Sequence, residues 1–127
     1  FLVKHLRIHW MEGEKHFKNC LVDYSEASNV AQWQWVAGCG ADAAPYFRIF
    51  NPILQGEKFD KKGLYVKKWV PEINKVPEKF THKPWEMELK YQQAIKTIIG
   101  KDYPEPIVIH EKARASALEA FQTIKRK

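Results

Sequence analysis

The chain has 127 residues and a formal charge of +6, a length that suits one small domain with a modest core. No run of 18 apolar residues occurs, which argues against a membrane-spanning helix and so against a membrane partner, and no charged-then-apolar leader is visible. Cys20 and Cys39 stand in no metal-binding spacing, so two buried free thiols in a reducing, cytoplasmic compartment are expected rather than a disulfide framework.

The charge is unevenly placed. Residues 1–35 carry four basic and four acidic side chains and balance, whereas residues 36–80 and 81–127 are each in basic excess by three. A basic excess favours polyanions through counterion release. Five tryptophans add planar side chains of the kind used in cores, in cofactor pockets and in base stacking. The sequence opens on Phe1 rather than Met, so a processed or truncated product is expected.

Phe1 to Ile8 reads as the end of an apolar-faced helix. A second helix runs from Trp10 to about Leu21, with Trp10, Phe17 and Leu21 on one face and Glu12, Lys15 and Lys18 turned away. His5 and His9 stand four apart, a spacing used by helical metal sites, but no third ligand follows and HExxH is absent. Solvated or capping roles are therefore expected for these two, and His16, His82 and His110 are unaccompanied.

Ser25 is placed to N-cap the next helix, with Asp23 just outside near the positive end of its dipole. That helix spans about Ser25 to Ala37, a stretch free of proline and glycine, and Gly38 and Gly40 end it. Trp33 and Trp35 lie two positions apart and so point to nearly opposite sides, while Asn29 and Trp33, four apart, share a face. One indole is expected to look inward beside an amide and the other outward.

From Gly40 to about Asp60 an irregular loop is expected, packed through Tyr46, Phe47, Ile49 and Phe50, with Arg48 displayed. Leu64 to Val70 reads as a short helix ended by Pro71. Trp85 to Ile99 reads as a longer amphipathic helix (Met87, Tyr91, Ile95, Ile98) stopped by Gly100. Asp102-Tyr-Pro-Glu-Pro is a rigid loop. Glu111 to Ile124 makes the last helix, with Ala117, Phe121 and Ile124 inward and Lys125-Arg-Lys127 as a basic end. The fold class is all-α with long irregular loops.

The run Trp33-Gln-Trp35, Gly38-Cys-Gly40-Ala-Asp-Ala-Ala-Pro-Tyr-Phe-Arg-Ile-Phe-Asn-Pro52 and Gln55-Gly-Glu-Lys-Phe-Asp60 resembles the C-terminal flavin-binding region of class I DNA photolyases, within the cryptochrome/photolyase family. The likeness continues through Tyr65-Val-Lys-Lys-Trp69-Val-Pro-Glu72 and Tyr103-Pro-Glu-Pro-Ile-Val108, so residues 1–127 are expected to form part of the helical FAD-binding domain, without the N-terminal α/β antenna domain. The resemblance implies FAD as cofactor and DNA containing pyrimidine dimers as partner. Repair of cyclobutane dimers by blue-light-driven electron transfer from reduced FAD is the implied activity. By the same resemblance Trp10 and Trp33 belong to a relay of tryptophans, although a core aromatic is the plainer reading of Trp10 taken alone. Asp23, Tyr24, Ser25 and Asn29 match a flavin-contacting segment that usually reads Asp-Gly-Asp before the helix. Ser25 thus replaces an acid, and losing one charge-assisted hydrogen bond costs about 1.5–3 kcal/mol, enough to weaken flavin binding about tenfold or more. Trp35, Arg48 and Gln55 match positions that meet the flipped dimer and its strand, although Arg48 alone reads as a surface charge. Such a chain alone is expected neither to hold FAD tightly nor to repair DNA. Alternatives are a cryptochrome-like light receptor, a half-protein completed by an upstream-half photolyase chain, and a basic helical remnant that binds DNA through charge.

Overall fold

A computed structural model describes residues 1–42 and 47–125, the side chain of residue 125 excepted. Pro45, Tyr46 and the basic end beyond residue 124, which the sequence singles out, lie outside the described part. The described residues are helical without a strand, apart from one isolated bridge between Ile99 and Tyr103, so the all-α expectation holds. Contacts divide the chain into two compact units, one of residues 1–49 and 108–127 and the other of residues 50–107.

The first unit is built on α1 (Trp10–Cys20), α2 (Glu26–Ala37) and α6 (His110–Lys125). His9 caps α1, its Nδ1 accepting from the Met11 amide at 3.3 Å. Residues 1–8 form hydrogen-bonded turns rather than the expected helix end, because Arg7 takes a left-handed φ of 56°. Ser25 does occupy the N-cap of α2, yet its hydroxyl bonds Ser28 Oγ at 3.4 Å and caps no amide. At the other end Gly38 adopts φ 79°, a conformation that costs glycine little, and its N–H returns to the last-turn carbonyls of Gln34 and Trp35.

α1 and α2 pack closely because α1 carries a glycine at the contact. A Cβ at Gly13 would lie 2.2 Å from Cη2 of Trp33, so the indole occupies the space that any other residue would fill. Ala117 of α6 is buried, but Ile124 is 71% exposed, which corrects its expected inward placement. Phe47 stacks on Phe121 at 4.3 Å with planes 7° apart. Cys20 and Cys39 are free as expected but exposed, not buried.

The second unit holds α3 (Pro52–Phe59), α4 (Leu64–Trp69), α5 (Leu89–Ala94) and three 3-10 turns at Pro71–Ile73, Glu78–Phe80 and Pro84–Glu86. α3 falls where an irregular loop was expected. Asn51 Oδ1 accepts from the amides of Ile53 and Leu54 at 3.0 and 3.2 Å, and Pro52 stands in the first turn, where its missing N–H costs nothing. The helix expected over Trp85–Ile99 is instead a 3-10 turn followed by the short α5. Met87 is extended between them, and Lys96 at φ 55° ends the segment. The buried Gln92 amide fixes this path, donating to Met87 O at 2.8 Å and accepting from Ile99 N at 2.9 Å. Ile73, Val76 and Met87 form the core, flanked by Val66, Val70, Phe80, Ile95 and Tyr103.

Candidate functional site

A cavity of about 700 Å³ opens in the first unit, within the size range of small-molecule sites. Phe17 and Leu21 of α1, with Phe1, Leu2 and Val3, give it an apolar side. The α2 side presents Asn29, Trp33 and Val36, one turn apart along the helix. Asp23, Ser25 and Ser28 bring polar atoms to the rim where α2 begins. Trp33 is held in place from two sides: its indole lies over Gly13, and the Phe17 ring meets it edge-on at 5.1 Å. Phe17 and Leu21 are 42% and 41% exposed, so these apolar groups border the cavity rather than fill a core.

Asn29 is 8% exposed and tied to α1. Its Nδ2 donates to the Glu14 carbonyl at 3.0 Å and to Glu14 Oε1 at 3.3 Å. Tyr24 does not line the cavity; its hydroxyl donates to the same Glu14 Oε1 at 3.1 Å. Burial, and then the hydrogen bond to the Glu14 carboxylate, raise the Tyr24 phenol above its ordinary value.

Trp35, half-buried on α2, lines neither this cavity nor the next. Trp10 belongs to a second hollow of about 260 Å³, bounded by Lys4, Arg7, Phe47, Ala117 and Phe121. Lys4 Nζ donates to the Arg48 carbonyl at 2.6 Å and lies 4.8 Å from the Phe47 ring, and burial, then Arg48, lower its ammonium below the usual lysine range. Arg48 is half-buried, not displayed outward, and Gln55 is half-buried on α3 of the second unit.

The histidines depart from their plain readings. His5 is buried rather than solvated, and its Nε2 lies 2.9 Å from Nδ1 of His110, which has no histidine or cysteine near it in sequence. His82 Nε2 bonds the Asp60 carbonyl at 2.7 Å. No cluster of three or more metal-ligating side chains occurs among the described residues. No described helix is long and apolar enough to cross a membrane.

Two residues at this site escaped the sequence reading. Gly13 had a visible signal, being an isolated glycine inside a helical pattern, which often marks a close approach. Glu14 had none, since its role depends on α2 folding back onto α1.

Residues 1–123 match the family model described as the FAD binding domain of DNA photolyase. The deoxyribodipyrimidine photo-lyase of Agrobacterium fabrum is 56% identical over 126 residues, 99% of this chain and 26% of that protein. The crystal structure of a bacterial class III photolyase from Agrobacterium tumefaciens superposes with a TM-score of 0.91 at 55% identity, covering 100% of this chain and 26% of that one. A Synechocystis cryptochrome structure reaches 0.86 at 35% identity, covering 94% of this chain and 24% of its own. The chain thus spans about a quarter of the length of the curated relatives it matches. The all-helical fold, the Trp33 cavity and a family match over nearly every residue agree, and the chain belongs to the FAD-binding domain family of DNA photolyases.

Proposed function

We propose that the cavity beside Trp33 is one wall of an FAD site in a photolyase that repairs cyclobutane pyrimidine dimers in DNA. The observation that supports this most is the sorting of α2: Asn29 and Trp33 share the cavity with Asp23 and Ser25, and Trp35 stays out of it. An indole plane, an apolar flank and polar atoms at one rim suit a flat heteroaromatic ring with polar edges, so Asn29, Asp23 and Ser25 are the residues that would hold FAD. When bound, FAD supplies the light-driven electron that splits the dimer. Trp33, wedged between Gly13 and Phe17, and Trp10 take the relay positions. Trp35 offers a stacking plane to a base flipped out of the duplex, with Arg48 and Gln55 as strand contacts.

The remaining walls come from a further segment of the same polypeptide or from a separate upstream-half photolyase chain; co-purification with such a chain decides between them. The isolated chain is expected to bind FAD more weakly than micromolar. A cytoplasmic site of action accords with this reading. Within the family, the motif run favours class I, whereas the 55% identical Agrobacterium structure is of a class III enzyme.

The test is a chimera in which this sequence replaces the matching quarter of the Agrobacterium fabrum photolyase. It is expected to retain FAD and to repair dimer-containing DNA under blue light. Trp35→Ala in that chimera should weaken binding of damaged DNA roughly 5- to 150-fold, the equivalent of about 1–3 kcal/mol for one stacked base. Loss of FAD would sink the reading. FAD binding without repair would favour the cryptochrome-like receptor, the second reading, which the Synechocystis structure supports.

A further inference from the structure

The hollow beside Trp10 shares only Val3 with the Trp33 cavity among the described residues. Three alanines line it, Ala37 of α2 with Ala117 and Ala120 of α6, and their small side chains leave the space open. At about 260 Å³ it falls below the range of drug-sized sites and suits a molecule of one or two rings. Trp10, Phe47 and Phe121 give it aromatic walls.

Its polar side chains are all donors. Lys4 gives one ammonium hydrogen to the Arg48 carbonyl at 2.6 Å, and Arg7 Nη1 gives one to Ser116 Oγ at 3.1 Å, so both keep others. His9 accepts at Nδ1 from the Met11 amide, which puts the proton of its neutral ring on Nε2. The Trp10 indole nitrogen can only donate. Among the described residues no acidic side chain lines the hollow, and neither Lys4 nor Arg7 pairs with a carboxylate. Arg7 also holds φ 56°, a left-handed backbone that is costly for a long side chain, and strain of this kind collects at ligand clamps.

We infer that this hollow is a binding site for a small flat aromatic anion of the aryl carboxylate class, its ring against Trp10, Phe47 and Phe121 and its carboxylate met by Lys4 and Arg7. Only such a ligand answers both halves of the lining. A neutral ring would leave two cations without a counter-charge, and an inorganic anion would leave the aromatic walls wet. Burial and Arg48 hold the Lys4 ammonium below the usual lysine range, and an anion seated beside it reverses that pressure. The site stands whether or not a flavin occupies the other cavity.

The test is titration of the 127-residue chain with 1-naphthoate, followed by NMR at the indole N–H signals. The Trp10 signal should move with a dissociation constant of about 1 mM or tighter, ordinary for a ligand of this size, while that of Trp33 stays still. The amide of the same ring, 1-naphthamide, should bind about tenfold more weakly for want of the charge. Arg7→Gln should weaken naphthoate about fivefold, as loss of an exposed ion pair does, and leave naphthamide unchanged. Ala120→Leu, which fills the space, should abolish binding of both. A response at Trp33 without one at Trp10, equal binding of acid and amide, or naphthoate binding that survives Ala120→Leu would each overturn the site. Where a variant melts early, acid against amide on the unaltered chain still decides the requirement for charge. The same titration of the Agrobacterium fabrum chimera asks whether the hollow stays open beside the rest of a photolyase: binding there supports the site, and none there overturns it.

Discussion

The two units use their apolar residues differently. In residues 50–107, Ile73, Val76 and Met87 are 1%, 0% and 3% exposed and touch one another, a small dry core closed by short turns. In the unit of α1, α2 and α6, the buried aliphatic side chain among the described residues is Ala117, and the larger groups Phe17, Leu21 and Trp33 line an open cavity. What is buried there is polar: His5 against His110 and Asn29 against Glu14. Both units bury hydrogen-bonding side chains, Thr81, Gln92 and Thr97 in the second, but the second also closes an aliphatic core, whereas the first turns its larger apolar groups to a cavity. A ligand-bearing unit is expected to look like this, since each Å² of apolar surface left open is worth about 25 cal/mol to whatever covers it.

The largest effect that sharpens this contrast is Ile73→Ala. It should cost about 2–5 kcal/mol, since a side chain with no solvent access leaves a void its neighbours cannot fill, whereas Phe17→Ala should cost distinctly less. Urea denaturation of the two variants checks it; equal losses would break the distinction between core and cavity. Next comes Gly13→Ala. The new methyl collides with the Trp33 indole, so a loss of about 1–3 kcal/mol and a changed tryptophan emission are expected. In a Trp33→Ala background the same substitution should turn neutral or stabilising, because the collision is gone and alanine favours a helix over glycine by about 0.5–1 kcal/mol. A cycle showing no coupling would mean that the indole does not rest on Gly13.

The smallest effect is a pH dependence in the cavity-bearing unit. Burial first, then the neighbouring Phe1 amino group and His110, hold the His5 imidazole below its ordinary value. The unfolded chain therefore takes up this proton before the folded one does. The stabilisation is complete above about pH 6.5, the unfolded value, and is lost as the pH falls through the lowered folded value. Melting temperatures at pH 7.5 and 5.5 should differ less in His5→Phe than in the unaltered chain.

Periodicity made the long helices legible. α1, α2, α4 and α6 lie within a residue or two of where the pattern sets them, because each is an uninterrupted amphipathic or alanine-rich run. α3 was also written in the sequence, as Asn51-Pro52 ahead of Ile-Leu-Gln, but Pro45 and Pro52 favoured a loop reading. Residues 85–99 show the opposite failure. The 3.6-residue spacing of Met87, Tyr91, Ile95 and Ile98 is genuine, yet the Gln92 amide, bonded at once to Met87 and Ile99, overrides local preference with a contact no window of sequence displays. At the site, the opposed faces of Trp33 and Trp35 follow from helix geometry alone. The parts supplied by α1, Gly13 and Glu14, needed the fold.

Cys20, the last residue of α1, and Cys39, two residues past the end of α2, stand free and exposed at the C-terminal ends of the two helices that frame the cavity. Protein kept in air will therefore tend to link copy to copy through these thiols, and purification calls for reductant. The same accessibility makes each sulfur a ready anchor for a spin label or dye, so closure of the helix pair around a bound molecule can be followed without engineering a new attachment point.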